Sequence, residues 1–307
     1  MQARELLQLV IAPAESDADL EALITVRKAT DPRARPTLAN LRHALTSSHA
    51  GLVFLVARLG DEPVACGFVQ RSTAAHAAAD VSVVPSRRRR GVATAMLAEA
   101  SAHAARLGKD RLQFAVRKSD EEFRSLLERR GFEKVGGEEA VSLQLGGEVP
   151  DQTVPDGIEI VSRRERSFVA QALYEVFVEA EQDVPGAPGG ETIESWSARE
   201  IDRPSRSPDL SFVAYVGDEP IGYAVLDVLG NEGHHGFTAV KRVWRRRGVA
   251  TALKRAQIRA ATEMALTRLV SGSEERNLPM RTLNERLGYR PDPELSTVVM
   301  EGPLQRR

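Results

Sequence analysis

Apolar and polar positions along this chain fall into short blocks whose spacing switches between strand-like and helix-like. Leu9–Ala14 (LVIAPA) is an apolar run of strand length. Ala18–Thr30 has helical spacing, and Thr37 is placed to cap a second helix through Ser47. Leu52–Leu59 and Pro63–Gln70 are apolar runs around Gly60-Asp61, which predicts a hairpin. Asp80–Val84 reads as a strand, and Gly91–Leu107 as a strong helix ended by Gly108. Leu112–Val116 is a strand, Ser119–Arg130 a helix stopped by Gly131, and Val141–Leu145 a closing strand. The succession repeats from Ile158 to Leu304. Strands with helices available for both faces predict an α/β (α+β) fold around a mixed central sheet.

The repetition extends to identity. Arg88–Ala95 (RRRGVATA) recurs unchanged at Arg245–Ala252, 157 positions later. The same offset aligns Gly60-Asp61-Glu62-Pro63 with Gly217-Asp218-Glu219-Pro220, and Arg124–Phe132 with Arg281–Tyr289. One ungapped offset across most of each half means two copies of one domain. The expected domains are residues 1–147 and 155–307. The linker 148–154 lies in a stretch of glycine, proline and acid without periodicity.

Composition narrows the class. The chain has 307 residues, 42% hydrophobic and 28% charged, with a net charge of −1. These values predict a globular protein with two real cores and no general affinity for polyanions. The single cysteine, Cys66, excludes an internal disulfide and reads as core. No secretory pattern opens the chain, so the expected location is cytoplasmic. Nucleic-acid and membrane partners are not expected.

The octapeptide sits between a strand and a helix both times. A helix start presents unpaired N–H groups and the positive end of the dipole, and glycine lets a ligand approach closely. The prediction is a diphosphate at each helix start. A solvated or nucleic-acid-binding arginine patch is the bland alternative, but it requires neither the glycine nor the small residues that follow.

Arg-x-x-Gly-x-Ala after a strand ending in Val-x-Pro resembles the acetyl-CoA signature of the GNAT N-acetyltransferases. Arg88-Arg89-Arg90-Gly91-Val92-Ala93 and Arg245-Arg246-Arg247-Gly248-Val249-Ala250 carry it, and Leu126–Phe132 and Leu283–Tyr289 resemble the family's closing helix and strand. Tandem chains of this length resemble the mycothiol synthase-like two-domain acetyltransferases of actinobacteria. The resemblance implies direct transfer of an acetyl group from acetyl-CoA to a small-molecule primary amine, without a metal. Pantetheine would run beside the strand ending at Val83 or Val240, with the thioester where that strand splays from its neighbour. The implied cofactor contacts are Val240, Lys241, Arg242, Arg245, Arg246, Arg247, Gly248, Val249, Ala250, Thr251, Asn277 and Asn284. In the first copy they are Val83, Val84, Pro85, Arg88, Arg89, Arg90, Gly91, Val92, Ala93 and Thr94.

The copies differ where chemistry is expected. Asn277, a candidate cofactor contact or plain helix cap, corresponds to Asp120 in the first copy. The candidate bases are His234, then Glu232 and His235; the matching stretch of the first copy is mostly alanine. Histidine titrates near neutrality and can take an ammonium proton. Strict alternation puts His234, Gly236, Thr238 and Val240 on one face. The tyrosine that family members often use to protonate the leaving thiolate falls on Leu127 and Asn284, which leaves the acid unnamed. Glu179, Asp183 and Trp196 are candidate acceptor contacts. These differences favour the second copy as the active one. A non-catalytic acyl-CoA sensor or scaffold is the rival reading. The choice between monomer and homodimer stays open.

Overall fold

The computed structural model describes residues 8–47, 51–72, 75–147, 153–166, 168–184, 187 and 189–306. The contacts divide the chain into two compact units, and these do not coincide with the two copies. Unit 1 holds 1–116, 120–135 and 298–307; unit 2 holds 117–119 and 136–297. Of the expected linker, 148–152 lies outside the described residues.

Unit 1 is one sheet with helices on both faces. β1 (Leu9–Pro13), β2 (Val53–Leu59), β3 (Glu62–Arg71) and β4 (His76–Val83) are antiparallel neighbours, and β5 (Arg111–Arg117) is parallel to β4. Alternation along β2 and β3 serves two cores. Phe54, Val56 and Cys66 face α1 (Asp17–Thr30) and α2 (Leu38–Ser47), with Leu20, Leu23 and Val26 packed on them. Leu55, Ala57 and Ala65 face α3 (Val92–Arg106) and α4 (Glu121–Glu128), meeting Met96, Leu97 and Leu127. Burial pushes the Cys66 thiol up to about 12, as expected of a core cysteine. β4 begins earlier than its β-branched residues suggest, because Ala77-Ala78-Ala79 are hydrogen-bonded between β3 and β5.

The sixth strand beside β5 is β13 (Thr297–Pro303), the end of the chain. Glu301 ties it in, accepting from Arg111 Nε at 2.6 Å and Gln113 Nε2 at 3.3 Å. The strand that closes the first copy, β6 (Glu133–Gln144), instead runs from Gly136 onward in unit 2. There it pairs antiparallel with β11 (Arg268–Glu274) over seven residue pairs. β6 is longer than the predicted Val141–Leu145, since pairing with β11 runs back to Glu138 and takes in the polar Glu138-Glu139.

Unit 2 has the order β6-β11-β10-β9-β8-β7, with β7 (Glu159–Ser162), β8 (Phe212–Val216), β9 (Glu219–Leu229) and β10 (Glu232–Val240). α5 (Ala170–Glu181) and α6 (Ile193–Trp196), which runs on into a π turn over Ser197–Ile201, cover one face around Trp196 and Tyr223. α7 (Val249–Glu263) and α8 (Leu278–Arg286) cover the other, and β12 (Arg290–Pro291) adds a short pairing to β6. Among the described residues, no helix is long and apolar enough to cross a membrane.

Candidate functional site

Both copies turn from strand to helix through the same backbone. A single 3-10 turn, Pro85–Arg87 or Arg242–Trp244, leads into Arg89 or Arg246 at φ 60° or 57°, then Gly91 or Gly248 at 86° or 85°. A non-glycine residue in the left-handed region costs about 1 kcal/mol or more, so the loop is held by something else. The brace is the arginine before it. Arg88 Nε donates to the Val83 carbonyl at 3.1 Å, and Arg245 Nε to that of Val240 at 3.0 Å. Ser16, Asp120 and Asn277 cap α1, α4 and α8 with their side chains, whereas α3 and α7 open with no side-chain cap. The first-turn amides of Val92-Ala93-Thr94 and Val249-Ala250-Thr251 are thus suited to an anion such as a diphosphate.

The arginines divide their work. Arg242 and Arg245 pair with Asp183, and Arg242 N–H also donates to Glu179. Lys241 pairs with Glu219 at 2.6 Å. Arg246 and Arg247 are exposed, the latter 5.0 Å over the Trp244 ring. Asn277 is committed to its cap, accepting from Met280 N–H at 3.3 Å, and Asp120 does the same for Phe123 at 3.0 Å.

The fourth and fifth strands of each copy part company. β4 pairs with β5 only from His76 to Ala79, and β10 with β11 only from Glu232 to His234. Beyond those points each pair splays open toward its loop. Only β10 is bulged: His235 pairs with Leu226 and Thr238 with Ala224, so Gly236 and Phe237 together oppose Val225. In β4, Asp80 alone occupies that place opposite Phe68. The extra residue overturns the alternation expected for β10. His235, Thr238 and Val240 share the α7–α8 face, while His234 and Ala239 share the α5 face.

The candidate bases therefore separate. His234 is half-buried on the α5 face, its Nε2 3.4 Å from the Glu232 carboxylate. Burial holds its pKa below the ordinary 6.5, with the Glu232 charge opposing. Glu232 accepts from Arg268 at 2.8 Å, and Arg268 holds it below the usual carboxylate range despite partial burial. His235 is on the other face, its Nε2 2.6 Å from the Tyr289 hydroxyl, and burial drives its pKa well down.

Several polar residues that the sequence reading passed over surround the bulge. Arg206 has its guanidinium against Gly236, where an added Cβ would lie 2.4 Å from Nη1. It stands 3.6 Å from both Glu200 and Asp227. Glu200 Oε2 accepts from the Phe237 N–H at 3.3 Å. In the first copy the corresponding face is closed by Arg27, which pairs with Asp80 and donates to Ser82 at 3.1 Å.

Two hollows lie in the helical layers of unit 2. A groove of about 430 Å³ between α7 and α8 is lined by Thr251, Arg255, Pro279, Leu283 and Arg286. In the first copy Arg130 Nη2 bridges to Thr94 Oγ1 at 3.2 Å between the matching helices. The second hollow, about 330 Å³, is lined by Tyr174, Val178, Glu181, Gly190 and Glu191. Of the predicted acceptor contacts, Glu179 instead binds the Arg242 N–H, and Asp183 binds Arg242 and Arg245. Trp196 is core, donating to the Tyr223 hydroxyl at 3.2 Å.

Residues 5–132 and 170–289 match the profile of the acetyltransferase (GNAT) family. Among solved structures, the chain is similar to a tandem GNAT protein from the clavulanic acid biosynthesis pathway. The TM-score is 0.76 at 21% identity, covering 97% of this chain and 99% of that one. It is also similar to a GCN5-related N-acetyltransferase from Sphaerobacter thermophilus, with TM-score 0.72, 20% identity and coverage of 97% and 96%. No curated protein matches the sequence. At these identities the structural likeness speaks for the fold, and the twofold profile match speaks for descent: the chain belongs to the GNAT acetyltransferase family, with its domain present twice.

Proposed function

We propose that the protein is an acetyl-CoA-dependent N-acetyltransferase that acetylates a primary amine of a small molecule within a ternary complex, and that the second copy performs the chemistry. The carrying observation is the β10 bulge, set where the strand splays from β11, together with an open groove between α7 and α8 that reaches Thr251 at the uncapped helix start. The first copy has an unbulged strand, Arg27 over one face and Arg130 across the helix pair. Bound acetyl-CoA would bring an activated thioester carbonyl. The uncapped amides of Val249–Thr251 fit its diphosphate, with Arg246 and Arg247 adding charge.

His234 is the proposed base. It is neutral near pH 7, and Glu232 would stabilise the imidazolium formed when it takes the ammonium proton. Glu232 itself is a poor base because Arg268 holds its charge. His235 faces away and serves the core. The hollow lined by Glu181, Glu191 and Tyr174 fits a cationic amine, on the same face of the sheet as His234. The first copy keeps the loop backbone and is proposed to bind acyl-CoA without transferring.

The test compares Gly248→Glu with Gly91→Glu. Acetyl-CoA should raise the melting temperature of the wild type, and thiol release with spermidine, tyramine and glucosamine as acceptors reports turnover. Gly248→Glu should abolish turnover and Gly91→Glu should spare it. The opposite pattern would reverse the assignment.

A further inference from the structure

Six positions of the second copy carry polar side chains where the first is apolar throughout. Lys254, Gln257, Ser271, Asn284 and Tyr289 stand at the 157 offset from Leu97, Ala100, Phe114, Leu127 and Phe132. His235 pairs with Leu226 as Ala79 pairs with Val69. The first five are buried in both copies. One fold therefore tolerates either set, and the apolar one avoids the desolvation cost of burying a lysine. Packing alone does not account for the polar set.

The set has a defined centre. Lys254 Nζ stands 3.4 Å from Ser271 Oγ, and Asn284 Nδ2 donates to the same oxygen at 3.3 Å. With both lone pairs taken, the Ser271 hydroxyl has only its own proton to offer. Ser271 is the first residue of β11 beyond the last β10 pairing, at the apex of the opening between the strands. Lys254 itself is faced by the Tyr289 ring at 5.5 Å, by His235 from β10, and by Ser271 and Asn284. Burial lowers it to about 7, so it gives up a proton readily near neutrality.

We propose that Lys254, acting through the Ser271 hydroxyl, supplies the proton taken up by the departing coenzyme A thiolate. This rests on the reading of unit 2 as the acetyltransferase. As the C–S bond breaks, the thiolate accepts the Ser271 proton and Ser271 accepts one from the Lys254 ammonium. Lys254 is left neutral and regains a proton from water after release. The ammonium loses two protons in becoming an amide N–H, one before attack and one after it, both through His234; Lys254 takes one back, so one proton in total passes to solvent.

Two measurements test it. First, coenzyme A alone is bound to wild type, Lys254→Met and Ser271→Ala, and its thiol is titrated by thiolate ultraviolet absorbance. Lys254 is neutral where the thiol titrates, so the readout is the Ser271 donor: its loss in Ser271→Ala should raise the bound thiol's pKa by about one unit, and an unchanged titration there overturns the relay. Second, kcat is measured against pH with the same three amines. The wild type should lose rate above about pH 7, and both variants should fall ten- to a hundredfold in kcat with KM for acetyl-CoA unchanged and that limb gone. Retained kcat, or a change confined to KM, overturns it. Failure of the wild type to bind coenzyme A overturns the acetyltransferase reading itself, a result distinct from binding with an unmoved thiol.

Discussion

Lys254 makes the stability of unit 2 depend on pH in a way that can be worked out beforehand. Burial takes its pKa from 10.5 down to about 7, and no carboxylate offsets that burial. Below pH 7 the residue is protonated folded and unfolded alike, and the full penalty of a buried ammonium is present. Between about 7 and 10.5 the unfolded chain binds one proton more than the folded one, so stability rises with pH. Each pH unit in that window adds about 1.4 kcal/mol, close to 5 kcal/mol in all. Lys254→Met removes the titration and fills similar volume without charge. At pH 7 the variant should match or exceed the wild type, and the difference should shrink steadily toward pH 10. Both tryptophans, Trp196 and Trp244, belong to unit 2, so denaturant unfolding followed by tryptophan fluorescence reports this unit. Taking the difference between the two proteins cancels every other titrating group. Parallel stability curves from pH 7 to 10 would refute the reasoning, because they would mean that Lys254 is hydrated or paired in the folded state.

Three further outcomes follow from the same structure. The rate of acetyl transfer should fall as pH drops through a value below 6.5, His234→Ala should erase that acid limb, and Glu232→Gln should move it lower, since the Glu232 charge favours the imidazolium. Tyr289→Phe should cost about 1–3 kcal/mol by leaving His235 without its partner, and adding His235→Ala should recover part of that; equilibrium unfolding of the wild type, both single variants and the double variant measures the coupling. A chain stopped after Val298 lacks most of β13, so hydrogen exchange should rise along β5 and α3 of unit 1 while α5 and β9 stay protected.

The strand–loop–helix turn at each octapeptide was legible because it is local chemistry: one strand end, one glycine, one helix start. The hairpins, the long helices and the duplication were legible for the same reason. Non-local pairing was not. β6 looks like a loop before Val141, and pairing with β11 makes strand of Glu138–Ala140. That β6 falls largely in unit 2 and β13 largely in unit 1 leaves no mark in composition. The face of His234 was misjudged because alternation assumes an unbroken ladder, and Gly236 interrupts it. The buried polar set was open to discovery. Aligning Lys254 with Leu97 and Asn284 with Leu127 shows a lysine and an amide at core positions. That signal lies in the difference between the two copies and in no motif.

The bulge allows fold and function to be separated by one residue. Deleting Gly236 would leave Phe237 alone opposite Val225, as Asp80 is alone opposite Phe68. Phe237 already packs edge-on against Phe177 at 5.2 Å on that face, so the shortened strand needs no new core. His235 keeps Leu226 as its partner and Thr238 keeps Ala224, so the register on either side survives. The cost falls on Arg206, whose guanidinium lies against the glycine, and on the Phe237 N–H held by Glu200. The deletion should therefore keep unit 2 folded, with a tryptophan-monitored unfolding midpoint near the wild type, and keep acetyl-CoA binding at the unchanged loop. Turnover should be lost, because the backbone between the base on one face and the opened strands on the other no longer turns at that point. A variant that still transferred acetyl groups would show that the splay alone suffices. The difference between the copies would then have to reside in the residues on either side of the strand.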